Sequence, residues 1–411
     1  MTEREFVRRV TAAGGNVYVV GGFVRDMIRG VTPKDKDYCV AQLTEDDFRM
    51  LFADDAKRVG KCFPVYLVDI DERACEVAFA RTEKKCGTGY RGFKALCDPT
   101  VTIRDDLWRR DTTMNAMALD LTTGQIIDLF GGRKDIAAKK IRAVGAHFVD
   151  DPVRSLRAAR QAAEFDFVID DGTYGYMAQC AAEIAGEPTE RFCAEMMRAL
   201  KTARPSLFFC ALRRGKILRE TFPEIFALIG KTQPVVYHPE GDAFNHTMIV
   251  LDQVAAATAD LPTRFAALAH DLGKGVTPRS MLPHHYGHET RGLQVLAAWN
   301  ERMTLPKIFL QAARLVIAEH MRAPRLQKPG KKVELLTRVC GSSLGLAGFN
   351  ACIAADNGAV PDYLADGEKI MAALSAVKGS DAPPELKGDA IGQWITTQRV
   401  RIFTLITEEY E

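Results

Sequence analysis

The hydrophobic pattern of this chain changes period near Asp150, and that change constrains the fold more than any other feature. Ahead of it, apolar residues come in short runs closed by turns: NVYVVGG (16–22), DYCV (37–40), PVYLVDI (64–70), CEVAFA (75–80) and GQIIDLFGG (124–132). Runs of that length, rich in β-branched and aromatic residues, read as strands. Behind it, DDPVRSLRAARQAAEF reads as a helix with Asp151 as N-cap and Pro152 at the first helical position. Helical patterns continue through ERFCAEMMRALK, LFFCALRRGKIL, HTMIVLDQVAAATA, TRFAALAHDLGKG and LQVLAAWNERM. The expected fold class is α+β, a mixed-sheet head followed by helical domains. A chain of 411 residues holds about two to four domains. The breaks divide it into 1–148, 149–228, 229–359 and a helical tail, 360–411.

Composition narrows the class. No apolar run reaches the roughly 18 residues of a membrane span, and MTEREFVRRV lacks the apolar segment of a signal peptide. The ten cysteines form no CxxC pair, so free thiols in a reducing cytoplasm are expected. A net charge of +2 argues against a nonspecific polybasic nucleic-acid coat but not against a local RNA track, whose footprint depends on clustering; no DNA or membrane partner is expected.

The first chemical constellation is VVGGFVRDMIRGVTPKDKDYCV. Gly21 and Gly22 end a strand and allow close backbone approach to a phosphate, with Arg25 one turn into the following helix. Asp35 and Asp37, two apart, face one side if the segment is extended. Paired carboxylates suit Mg²⁺, which favours oxygen ligands and substrate phosphates. Alone, a DxD pair is as compatible with a solvated turn; the glycine turn and Arg25 favour the catalytic reading. Glu76, at the start of EVAFARTE, is a candidate third carboxylate or an exposed edge residue. In DLWRRDTTMNAMALD, Arg110 is taken as a triphosphate contact, and Asp111 and Asn115 share a face at i,i+4 spacing. Arg154, Arg157 and Arg160 recur every three residues without interleaved acids, a stripe whose mutual repulsion a polyanion would relieve. Asp151 beside them can cap the helix or accept from the exocyclic amino group of a base.

The second constellation is histidine. Of eight histidines, seven lie between residues 238 and 320. The pattern His246…His270-Asp271…His284-His285…His288…His320 suits imidazole and carboxylate ligation of a transition metal such as Ni²⁺, Mn²⁺ or Zn²⁺. A lone histidine on a helix is usually structural; this spacing is more specific.

Together, VVGGFVRDMIRG, KDKDYCV, EVAFARTEKKCGTGYRGF, DDLWRRDTTMNAMALD, IIDLFGG, DDPVRSLRAARQAAEF and HDLGKG resemble the bacterial tRNA CCA-adding enzymes, of the class II tRNA nucleotidyltransferase/poly(A) polymerase group, in the form carrying a C-terminal HD domain. The resemblance runs from about residue 16 and weakens after 325. It implies addition of C, C and A to a tRNA 3′ end from CTP and ATP without a nucleic-acid template. It implies that Asp35 and Asp37 hold Mg²⁺, and that Gly22, Arg25 and Arg110 contact the nucleotide. Asp151 and Arg154 would pair with the base edge, and Arg157 and Arg160 would support binding. RTEKKCGTGYRGF would be a flexible loop in the C-to-A switch, and Thr189-Glu190-Arg191 would buttress the template helix. The template stretch departs from the family's Glu-Asp-x-x-Arg by reading Asp150-Asp151-x-x-Arg154. The HD resemblance implies 2′,3′-cyclic phosphodiesterase, 2′-nucleotidase and phosphatase activities on a divalent metal, Ni²⁺ foremost. His246, His270 and Asp271 would be ligands, and Asp356, His285, His288 and His320 further candidates. The tail would contact tRNA, and the protein would be a monomer or homodimer. The alternatives are a poly(A) polymerase, a partial CC- or A-adding enzyme, and a catalytically silent RNA-binding protein. The HDLGKG motif and a nearly neutral tail argue against the first, the loop sequence against the second, and the carboxylates and arginines against the third.

Overall fold

The computed structural model describes residues 1–59, 64–87 and 92–408. Contacts divide the chain into two compact units, Met1–Glu195 with Leu207–Thr221, and Met196–Ser206 with Phe222–Glu411.

The first unit is built on a seven-stranded sheet. Its strands are β1 (Asn16–Val20), β2 (Asp37–Ala41), β3 (Ala56–Arg58), β4 (Val65–Ile70) and β5 (Arg73–Phe79), then, beyond a separate hairpin of β6 (Thr82–Lys85) and β7 (Phe93–Leu96), β8 (Met117–Asp120) and β9 (Ile126–Asp128). The order is β3-β4-β5-β2-β1-β8-β9, antiparallel except where β2 meets β5. Four consecutive residues of β1, Val17 to Val20, are buried because the central strand is covered on both faces. On one face Phe6, Phe48, Phe52, Tyr66 and Phe79 interlock, with centroids 4.8–6.5 Å apart. On the other, Tyr18, Val20, Cys39, Ala41 and Leu107 form a second core.

β5, paired with β4 on one side and β2 on the other, alternates. Cys75, Val77 and Phe79 are buried and Glu76 is exposed, the pattern of a strand with one covered face and one open face. Glu76 sits in the middle of this strand and not at its start, because pairing with β4 extends from Val65↔Ala78 to Ile70↔Arg73. The register Tyr38↔Val77 sets Asp37 beside Glu76 on one face. Asp35 lies in the loop before β2, so only Asp37 of the pair is in an extended strand.

Regular helix after the sheet runs Arg154–Phe165, later than the sequence suggests, because Pro152 and Val153 form a turn. Asp151 is therefore not its N-cap: Val153 holds that position without a side-chain capping bond, and Asp151 Oδ1 instead accepts from Val153 N–H at 3.2 Å within the turn. The segment expected as a flexible loop is flanked by the β6–β7 hairpin, and its residues 88–91 lie outside the described residues.

The second unit is helical, and five of its helices bring an end to one locus. His246 is in the first turn of Ala243–Ala257, which Asp242 caps. His270 is the C-cap of Leu261–Ala269, His288 begins His288–Met303, and His320 is the C-cap of Lys307–Glu319. Asp356 lies near the end of Gly345–Asn357. The tail does not stand apart: Tyr363, Leu364, Ile370, Leu374 and Phe403 share a core with Val250, Leu336 and Phe349. No helix of the described residues is long and apolar enough to cross a membrane.

Glycine permits the convergence. A Cβ on Gly273 would lie 1.8 Å from the His288 carbonyl oxygen and 2.6 Å from Gly292 N, so only glycine lets the turn after Asp271 touch the helix that carries His288. Gly273→Ala must push that helix away. We expect a loss of about 1–3 kcal/mol or more in urea unfolding; an unchanged midpoint would contradict this packing.

Candidate active site and metal centre

A cavity of about 650 Å³ opens in the first unit. Gly22 and Arg25 line it from the glycine turn, Arg110 from the segment before β8, and Asp151, Arg154, Arg157 and Arg160 from the following helical segment, with Asp37 at its edge. Every residue expected to contact nucleotide therefore meets in one place. A second cavity of about 670 Å³ contains Asp35 and Glu76 and shares Asp37 with the first. Asp35 thus reaches the site through a neighbouring cavity.

The first cavity is lined by eight arginines and four acidic side chains. Its arginines are held by carboxylates, including one set further back. Asp106, 1% exposed, accepts from Arg109 at 2.6 Å and from Arg110 at 2.9 Å. Burial works against its charge, but Arg110 and Arg109 outweigh burial and hold the carboxyl below its ordinary range. Sequence reasoning passed over Asp106; its i,i+3 and i,i+4 spacing to the two arginines was the available signal. Arg110 also explains Gly21, where φ is 71° and a Cβ would stand 3.1 Å from its Nη1.

The arginine stripe is neutralised differently from the expectation. Arg157 Nε is 2.8 Å from Asp111 Oδ2, and Arg160 pairs with Glu164 and, at 2.7 Å, with Glu195. Arg154 is 7% exposed and donates to the carbonyls of His147 and Arg109, at 2.7 and 2.8 Å. Glu164 lies on the same helix, and Asp111 and Glu195 come from other segments, so the argument from unrelieved repulsion does not hold. Asp151 Oδ2 accepts from Arg191 at 3.0 Å, which gives the Thr189-Glu190-Arg191 stretch its buttressing contact. Asn115 donates to Asp111 at 3.2 Å across a 3₁₀ turn and accepts from Arg25 at 2.9 Å. The i,i+4 contact thus forms without an α-helix.

The carboxylates fit a hard cation. Burial first, then the like charges of Glu76 and Asp35, push the Asp37 carboxyl above its ordinary range, against the opposing pull of Arg110. A divalent ion bound by oxygen donors would remove that repulsion.

In the second unit, His246, His270 and Asp271 place one ligand atom each within 4.8 Å of the others, and so do Asp271, His288 and His320. Asp271 is common to both groups. Asp356 Oδ1 lies 2.9 Å from His246 Nε2 and 3.6 Å from His270 Nε2. The Nδ1–H groups of His270, His288 and His320 donate to the carbonyls of Ala267, His285 and Val316 at 2.7, 2.9 and 3.0 Å, which turns each Nε2 inward. His270 Nε2 and Asp271 Oδ1 are buried without a hydrogen-bond partner. Inward imidazoles, carboxylates and orphaned buried atoms fit a divalent transition metal. Burial disfavours charge on His270, yet Asp271 and Asp356 hold its pKa up to about 10, a measure of the negative potential a cation would meet.

His285 is not part of this group. Its Nδ1 meets the Thr277 hydroxyl at 2.9 Å and its Nε2 the Thr232 carbonyl at 3.0 Å. Two other residues escaped sequence reading. Glu240 holds His246 Nδ1 at 2.7 Å from an irregular loop, and Lys274, of HDLGKG, lies 2.6 Å from Asp271.

A mixed-sheet head with an arginine-lined cavity, joined to a helical histidine–aspartate centre, defines a nucleotidyltransferase fused to an HD domain. Residues 17–142 match the family described as "Poly A polymerase head domain", 166–229 "Probable RNA and SrmB- binding site of polymerase A", and 243–341 "HD domain". The multifunctional CCA protein of Cupriavidus metallidurans is 39% identical over 405 residues, covering 92% of this chain and 94% of that protein. That of Nitrosococcus oceani is 43% identical over 329 residues, 79% of each. The chain belongs to the multifunctional CCA protein family. Its fold is that of the Bacillus stearothermophilus CCA-adding enzyme solved with CTP (24% identity, TM-score 0.63, 99% of this chain and 92% of that one). It is likewise that of a CCA-adding enzyme solved with ATP (21%, TM-score 0.68, 97% and 88%).

Asp111 gives the site a pH signature. Burial raises its pKa, but Arg157, Asn115 and the Thr112 N–H overcome that and lower it from 3.8 to about 2. A depressed carboxylate contributes stability above its unfolded pKa and loses it as pH falls through the folded value. The stability gap between wild type and Asp111→Asn should narrow as pH falls from 3.8 to about 2. Urea midpoints measured across that window check it, and a constant gap would refute the assignment.

Proposed function

We propose that this chain adds C, C and A to the 3′ end of tRNA from CTP and ATP, releasing pyrophosphate, and that its HD centre hydrolyses phosphoesters. The observation that carries the first reading is the single cavity joining Arg25, Arg110, Asp151, Arg154 and Asp37 from distant parts of the sequence. The proposed division of labour is a catalytic head at 1–148, a nucleotide- and RNA-binding neck at 149–228, the HD domain at 229–359 and a tRNA-contacting tail at 360–411.

Arg25 and Arg110 bind the triphosphate, with Gly22 giving backbone access and Arg157 and Arg160 supporting the nucleotide. Alignment for in-line attack and electrostatic stabilisation supply most of the catalysis. Asp35 and Asp37, with Glu76, are the residues that would hold Mg²⁺, which when bound polarises the attacking hydroxyl and neutralises charge on the phosphates.

Asp151 and Arg154 read the base. Asp151 accepts from the exocyclic amino group that cytosine and adenine share, and uracil, lacking it, leaves that acceptor unmatched. Arg154 has spent two of its five donors on carbonyls and keeps three. Its backbone anchors fix the direction of the rest.

In the HD centre, His246, His270, Asp271 and Asp356 form one ligand set, and Asp271, His288 and His320 an adjacent one. Imidazole and carboxylate ligation suits Ni²⁺, Mn²⁺ or Zn²⁺, and the family resemblance puts Ni²⁺ foremost. The bound ion would activate water for attack on phosphorus. A reducing cytoplasmic setting is proposed from the sequence, whose ten scattered cysteines form no CxxC pair.

The deciding assay offers tRNA ending at the discriminator base, at C or at CC, with CTP and ATP separately and together, and sequences the products. Full CCA ends support the proposal; a poly(A) tail, or addition of only CC or only A, would replace it. Asp35→Ala or Asp37→Ala should lower incorporation of both nucleotides by about 10³-fold or more, on the scale of losing a metal-assisted step, while tRNA binding by filter retention persists. Undiminished incorporation would sink the metal assignment. His270→Ala should remove hydrolysis of 2′,3′-cyclic phosphate and leave addition intact; loss of addition in a folded variant would contradict two independent sites.

A further inference from the structure

Beside the HD centre, a basic rim surrounds buried Thr277. Lys231 Nζ donates to the Thr277 carbonyl at 2.7 Å and Arg291 Nη2 to its hydroxyl at 3.2 Å. Arg279, two residues further along, stands close enough to Lys231 to add to burial in holding that ammonium's pKa down. Among the described residues, none of these three cations has a carboxylate oxygen within 4.0 Å. Two buried donors nearby also lack acceptors, Nε of Arg291 and Nε2 of Gln233. Gln233 Oε1 in turn holds Lys274 at 2.6 Å, the lysine that contacts Asp271. Unpaired cations and unsatisfied buried donors are costly unless an anion meets them.

His285 fastens this rim to the metal-type group. Its ring joins Thr277 to Thr232, and its carbonyl receives the Nδ1–H of His288. The next residue, Tyr286, is 72% exposed, and its ring stacks on His284 at 5.4 Å and 17°. An open, flat aromatic pair beside an anion site is the combination that grips a single nucleic-acid strand, phosphate on guanidinium and base on ring.

We propose that this rim is a second binding site, for an RNA strand whose terminal phosphate lies at the histidine–aspartate group. The adjoining phosphodiester sits against Arg291, Lys231 and Arg279, and a neighbouring base stacks on Tyr286. The inference rests on the phosphohydrolase reading and adds to it a preference for RNA ends over mononucleotides.

The test uses the full chain with Ni²⁺ or Mn²⁺ and two substrates, 2′,3′-cyclic AMP and a four-nucleotide RNA ending in a 2′,3′-cyclic phosphate. Wild type should favour the tetramer by about tenfold in kcat/KM, a preference that shrinks as salt rises. Arg279→Ala and Tyr286→Ala, both at exposed positions, should each raise KM for the tetramer several-fold and leave the mononucleotide unchanged. Equal effects on both substrates, or none on either, would overturn the proposal. So would an Arg279-dependent response to inorganic phosphate with no tetramer preference, which would mark a free-phosphate site. Absence of hydrolysis of either substrate by wild type would instead sink the phosphohydrolase reading, and this inference with it.

Discussion

Eight arginines cannot line one cavity unless buried acids hold them apart and in place. Asp106 and Asp111 do this. Asp106 fixes Arg109 and Arg110 from beneath, and Asp111 draws Arg157 across from the helix that follows the head. Because Arg157 belongs to the later helix, its pair with Asp111 ties that helix to the segment on which Asp106 fixes Arg109 and Arg110. The position of Arg154 agrees with that tie: its guanidinium donates to the carbonyls of Arg109 and His147, on and beside the same segment. A positively charged cavity at fixed spacing is what a triphosphate needs, since its binding and alignment are largely electrostatic.

The HD centre solves a different problem by a different device. Its candidate ligands sit at helix ends, where side chains from several helices can point at one locus, and carbonyls of the terminal turns accept the Nδ1–H of His270 and His320. The helix ends thus orient their own ligands. Gly273 and Gly292 set the approach of the third, His288, by letting two backbones touch. The two centres use different side chains and lie in different units of the fold.

Much of this was legible in the sequence, for reasons that differ by element. Strands such as Asn16–Val20 and the helices that carry His246 and His270 followed from apolar period. Motifs brought Gly22, Arg25, Asp37, Arg110 and Arg154 into one list before geometry brought them into one cavity. What was not legible depends on contacts distant in sequence. The acids that neutralise the arginine stripe come partly from other elements, so their absence between the arginines was misleading. His285 sits among ligating histidines, yet hydrogen bonds to Thr232 and Thr277 take both its nitrogens. Glu240 belongs to an irregular loop, where no periodicity announces it.

We propose that protein side chains, Asp151 and Arg154, choose the base in a cavity whose arginines hold the triphosphate without regard to it. Relative kcat/KM for CTP and UTP, measured on tRNA ending at the discriminator base with wild type and Asp151→Asn, tests this directly. The preference for CTP should fall about tenfold or more, as loss of one committed base contact implies, while the KM for tRNA stays near its wild-type value. A variant that merely slows, with its CTP-over-UTP preference intact, would contradict it.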